Sequence, residues 1–124
     1  MGENMNIIKP ALLKNGDTIG ILAPSGAMDN DTNLKRGISF FEKRGFKIKL
    51  ADNIYSSNKY LAGSDKERLD AIHKMFSDKS INAIICLRGG YGAIRLINQI
   101  DYNVIRENPK IFCGYSDITA LNVM

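Results

Sequence analysis

The sequence predicts an α/β fold of the flavodoxin-like, three-layer kind, a parallel sheet with helices on both faces. Three observations carry that prediction. Short apolar runs alternate with segments of helical periodicity along the chain, a pattern that calls for parallel strands joined by right-handed crossovers. Two of the runs, near 18–23 and 81–87, are apolar almost throughout, as strands covered on both faces are. A third, Phe46-Lys47-Ile48-Lys49-Leu50, alternates apolar and basic residues and so has one wet face. Placing that strand at an edge gives the order 2-1-3-4, with a switch point between the first and third strands.

Composition narrows the class. With 124 residues the chain can build one domain with a core, 1–124, but not two. A charged fraction of 24% and a net charge of +4, spread without runs, describe a solvated surface; a nucleic-acid footprint would be clustered. No apolar stretch has the length of a membrane span and no signal peptide is evident, so the expected location is cytoplasmic, with no membrane or nucleic-acid partner. Cys86 and Cys113 sit in apolar runs and are expected to be reduced core residues. Two cysteines and one histidine fit no metal-site spacing, and no cofactor is expected.

The elements follow in order. Residues 1–14 read as an irregular lead-in, and Asn15-Gly16-Asp17 as a turn before the first strand. That strand ends in Pro24-Ser25-Gly26, which lacks the lysine of a P-loop and the glycine spacing of a dinucleotide fingerprint. Asp29, Asp31 or Thr32 can cap a helix whose Leu34, Ile38 and Phe41 share a stripe, with Gly45 as its stop. Residues 52–63 have no period; Tyr55 and Tyr60 could pack there or line a cleft. Ser64-Asp65-Lys66-Glu67 is a capping box opening a helix with Leu69, Ile72, His73 and Phe76 on one stripe. His73, the only histidine, reads as a packing residue on that helix edge. The third strand runs into Arg88-Gly89-Gly90-Tyr91-Gly92, followed by a helix over 93–100. Residues 101–106 make a short helix stopped at Asn108-Pro109, and 110–113 the last strand.

After that strand comes Gly114-Tyr115-Ser116-Asp117, with helical spacing resuming at once. Strand, tight turn with a central serine, then helix is the geometry of a nucleophile elbow; it is equally that of a serine N-capping a helix whose first turn carries an acid. Ligands bind at the carboxyl ends of strands beside a switch point. Three loops are expected there: Pro24-Ser25-Gly26, Arg88-Gly89-Gly90-Tyr91-Gly92 and Gly114-Tyr115-Ser116-Asp117. A serine beside two sets of free N–H groups is the minimum for acyl transfer through an oxyanion. The general base is missing.

Ala23-Pro24-Ser25-Gly26, Arg88-Gly89-Gly90-Tyr91-Gly92, and Asn108-Pro109-Lys110 leading into Gly114-Tyr115-Ser116-Asp117-Ile118-Thr119 resemble the LD-carboxypeptidase family of serine peptidases, in the family's order and over nearly the whole chain from about Lys9. The resemblance implies a hydrolase that cleaves the amide between an L-centre and a terminal D-amino acid, as in murein tetrapeptides, or, in a related branch, a peptidyl-nucleotide antibiotic in self-immunity. It implies Ser116 as nucleophile, and the N–H groups of Asp117 and Gly90 as the oxyanion hole. Ser25, Gly89 and Tyr91 become the candidate substrate-binding residues. The family's base is a histidine held by a glutamate in a second, C-terminal domain. The chain stops eight residues past Ser116, and His73 matches no triad position. The expectation is the N-terminal, nucleophile-bearing domain of a longer enzyme, inactive by itself and prone to homo-oligomerise through the surface left bare. The reading from another class is a non-enzymatic flavodoxin-like binding module; as a receiver it would need acids where Leu22-Ala23 and Leu87-Arg88 stand.

Overall fold

A computed structural model of the chain describes residues 12–23, 31–55, 62–86, 96 and 98–113. Four strands, β1 (Thr18–Leu22), β2 (Lys47–Leu50), β3 (Ala83–Cys86) and β4 (Ile111–Cys113), alternate with helices α1 (Thr32–Glu42), α2 (Asp65–Ser77) and α3 (Tyr102–Glu107). All neighbouring strands pair in parallel, in the order β2-β1-β3-β4. This is the order expected from patterning, with the alternating strand at one edge and both apolar strands inside. Tyr60 and the helix after Asp117 lie outside the described residues. Of the helix over 93–100, residues 96 and 98–100 are described, and 96, 98 and 99 have 3-10 conformation.

Strand alternation sends side chains to two cores. Leu22 and Ile84 join Ala71, Ile72, Met75 and Phe76 of α2 on one face; Ile21 and Ala23 join Leu34 on the α1 side. Gly20 lets α2 lie close. A Cβ built there would come within 2.7 Å of the Met75 methyl and 3.2 Å of Ile81. Farther along the same face, Phe76 stacks obliquely on Phe112 of β4, ring centroids 5.6 Å apart. Leu96 and Ile100 complete this core.

Local chemistry sets the helix ends. Ser64 accepts from the Glu67 N–H at 3.1 Å and its own N–H donates to Glu67 Oε1 at 3.1 Å, the predicted reciprocal box. Gly45 holds φ at +91°, which a left-handed helix terminator needs. Asp31 takes the N-cap position of α1 but makes no side-chain cap bond; its carboxylate pairs with Lys35 instead, 3.2 Å away. Asp101 caps α3 through the Asn103 N–H at 3.1 Å.

Two expectations need correction. Cys86 is buried as read, but Cys113 is exposed; both are free. Cys113 ends β4, which among the described strands lies at an edge, where an apolar run has a neighbour on one side only. Tyr55 does not pack: it is 64% exposed.

Candidate active site

The pairing registers determine where the chain leaves the sheet. Leu22 lies opposite Cys86, and Ile85 opposite Cys113. The last residues of β1, β3 and β4 are thus within a residue of one another on adjacent strands. The segments that follow, beginning at 24, 87 and 114, depart from the same end of the sheet, across the β1–β3 switch point. Those segments carry every residue singled out in the sequence: Ser25; Gly89, Gly90 and Tyr91; Ser116 and Asp117. All six lie outside the described residues, so their side chains and N–H groups are not placed here.

What is described around that end is mostly scaffold. Ala23 is fully buried. The Asn53 amide donates to its carbonyl at 2.8 Å. Burial pushes the Cys86 thiol up to about 12, with nearby Cys113 adding to the shift, so this thiol stays protonated at neutral pH and is no rival nucleophile. His73 is engaged elsewhere: its Nε2 accepts from the Asp101 N–H at 2.9 Å, tying α2 to the start of α3. That agrees with a packing role.

The opposite end of the sheet has its own hollow, about 220 Å³, between Leu12, Asp17, Asn82 and Lys110. Several of its polar groups are spent on structure. Asn82 Oδ1 accepts from the Thr18 N–H at 2.8 Å, and Lys110 Nζ donates to the carbonyls of Asp78 and Ile81. Sequence reasoning missed two buried polar residues, Asn53 and Arg68. Arg68 stands one residue past the capping box, where a charge on an N-terminal turn reads as solvated; nothing local marks it as buried.

Comparison with known proteins agrees with this layout. Residues 19–124 match the family model for the LD-carboxypeptidase N-terminal domain, peptidase S66. The chain belongs to the LD-carboxypeptidase family. It is 43% identical over 114 residues to a "Probable murein peptide carboxypeptidase" of Bacillus subtilis, covering 92% of this chain and 35% of that protein. It is 34% identical over 108 residues to the microcin C7 self-immunity protein MccF of Escherichia coli, covering 86% of this chain and 31% of the relative. A solved MccF-like protein from Bacillus anthracis superimposes with a TM-score of 0.89 at 35% identity, over 94% of this chain and 36% of that one. The chain thus spans about a third of the length of the curated relatives it matches.

Proposed function

We propose that this chain is the nucleophile-bearing domain of a serine LD-carboxypeptidase acting on murein peptides that end in a D-amino acid. The observation that carries the reading is the common exit of β1, β3 and β4 at one end of a parallel sheet, in a chain of this family. Ser116 Oγ attacks the carbonyl carbon of the terminal amide. The N–H groups of Asp117 and Gly90 stabilise the oxyanion that forms. The hydroxyl proton passes to a histidine oriented by a glutamate, both in a C-terminal domain, and then to the departing amine of the D-amino acid. Water hydrolyses the resulting ester and restores the serine. Ser25, Gly89 and Tyr91 hold the peptide. No cofactor takes part, and the setting is the cytoplasm, in cell-wall recycling.

The test is release of a terminal D-amino acid from an L,D-tetrapeptide by the full-length enzyme, beside this chain alone. The full-length enzyme turns over. The chain alone does not, because a serine hydroxyl without its base loses about 10²–10⁴-fold or more. Release by the chain alone that Ser116→Ala abolishes would refute the shared-triad arrangement. Similarity to MccF favours a second reading, hydrolysis of a peptidyl-nucleotide antibiotic; the same enzyme offered an aminoacyl sulfamoyl adenosine separates the two.

A further inference from the structure

The two buried polar side chains among the described residues grip one short stretch. Asn53 is 3% exposed and Arg68 fully buried. Asn53 stands in the turn after β2, where the Ile54 N–H donates to the Ala51 carbonyl at 3.1 Å. Its Nδ2 gives one hydrogen to the Ala62 carbonyl and the other to the Ala23 carbonyl, each at 2.8 Å. Arg68 donates Nε to the next carbonyl, Gly63, at 3.3 Å, and pairs with Asp65. The start of α2 is therefore held from two sides and bound, through Asn53, to the end of β1.

The amide orientation is unambiguous. A reversed Asn53 would press its oxygen against two carbonyl oxygens. As it stands, Oδ1 is enclosed with no hydrogen-bond partner among the described residues, an arrangement that lowers stability. An apolar residue would avoid that cost but would supply neither donor. The two donated bonds are what this position provides.

We propose that Asn53 is a positioning residue for the carboxyl end of β1. It sets where the chain leaves the sheet, two residues before Ser25, and so governs substrate affinity while leaving the chemical step alone. The inference rests on the reading of Ser25 as a substrate contact. Loss of binding common to ground and transition states raises KM at constant kcat.

The experiment is steady-state kinetics of the full-length enzyme on an L,D-tetrapeptide, comparing Asn53→Ala with Ile72→Ala. Ile72 is 1% exposed in the core cluster of α2 and the sheet. Its aliphatic side chain makes none of the hydrogen bonds that hold the Ala23 and Ala62 carbonyls, so its variant reports lost core packing without loss of those bonds. Asn53→Ala raises KM about tenfold and leaves kcat within about twofold; Ile72→Ala lowers the melting temperature and keeps KM. Should Asn53→Ala not fold, Asn53→Ser, which retains one short donor, is read in its place and raises KM about threefold. Unchanged KM in a folded Asn53 variant overturns the proposal. A wild-type enzyme with no turnover overturns the functional reading instead, and hydrogen exchange over residues 23–26 then decides. Asn53→Ala speeds that exchange about tenfold beyond Ile72→Ala; equal rates overturn the positioning role.

Discussion

Helices α2 and α1 cover opposite faces of one sheet and are held there by different means. Helix α2 has a complete capping box, Asp65 and Glu67 at its positive end, Lys74 in its last turn and five buried residues. Helix α1 has no side-chain cap bond, no acid in its first turn and no base in its last. Leu34 is its one buried side chain among those described. Its outer half is aromatic instead: Phe41 meets Phe40 and Phe46 edge to face, at 5.2 and 6.4 Å, and the Arg44 guanidinium lies 3.5 Å over the Phe40 ring. The difference teaches that, among the described residues, the α2 side carries the larger buried cluster and the better-capped helix. That is also the side whose helix start is fastened to the end of β1.

The comparison breaks most readily in its core. Phe76→Ala, which empties the contact between α2 and β4, should cost about 3–5 kcal/mol, and Leu34→Ala about 2–3 kcal/mol because fewer atoms are removed and the smaller cluster around it can relax. Urea titration of both variants reads this; a larger loss at Leu34 would reverse the ranking of the two faces. The caps sharpen it on a smaller scale. Ser64→Ala should cost about 1 kcal/mol, while Asp31→Ala should stay within about 0.5 kcal/mol, since it removes only an exposed pair. Equal losses would mean that α1 is capped by its side chain after all.

A smaller effect is pH-dependent and belongs to the α2 side. Its C-cap residue, Asp78, accepts from the Lys49 ammonium and from the Ser80 hydroxyl and N–H, which hold its carboxyl well below the usual carboxylate range. A depressed pKa stabilises the fold fully above the unfolded value of about 4, and that contribution is lost as pH falls through the folded value. Asp78→Asn should therefore melt below wild type at pH 7, and the gap should narrow steadily below about pH 4. A gap independent of pH would assign the loss to packing.

Much of this was legible in the sequence, for reasons that differ by region. The alternation at 46–50 marked an edge strand because one face meets water. Ser64 and Glu67 marked a helix start because both partners of the cap lie within four residues. Gly45 marked a helix end because few other residues accept its φ. What escaped was non-local. Residues 52–63 show no period because Asn53 is placed by carbonyls 30 and 9 residues away, and Arg68 is buried by elements distant in sequence. Cys113 read as core because an apolar strand looks alike at an edge and inside. For the site, sequence supplied the motifs and the sheet supplied their common end. Ser25, Gly89, Gly90, Tyr91, Ser116 and Asp117 are proposed from motif and from resemblance to the family.

The most direct test concerns Ser116 itself. Asparagine caps a helix about as well as serine and tolerates a strained turn, so Ser116→Asn should shift stability by less than about 1 kcal/mol. It cannot form an acyl-enzyme. Turnover of an L,D-tetrapeptide by the full-length Ser116→Asn enzyme should fall by several orders of magnitude while its melting temperature barely moves. Retained turnover in the folded variant would contradict the account and leave Ser116 a helix cap.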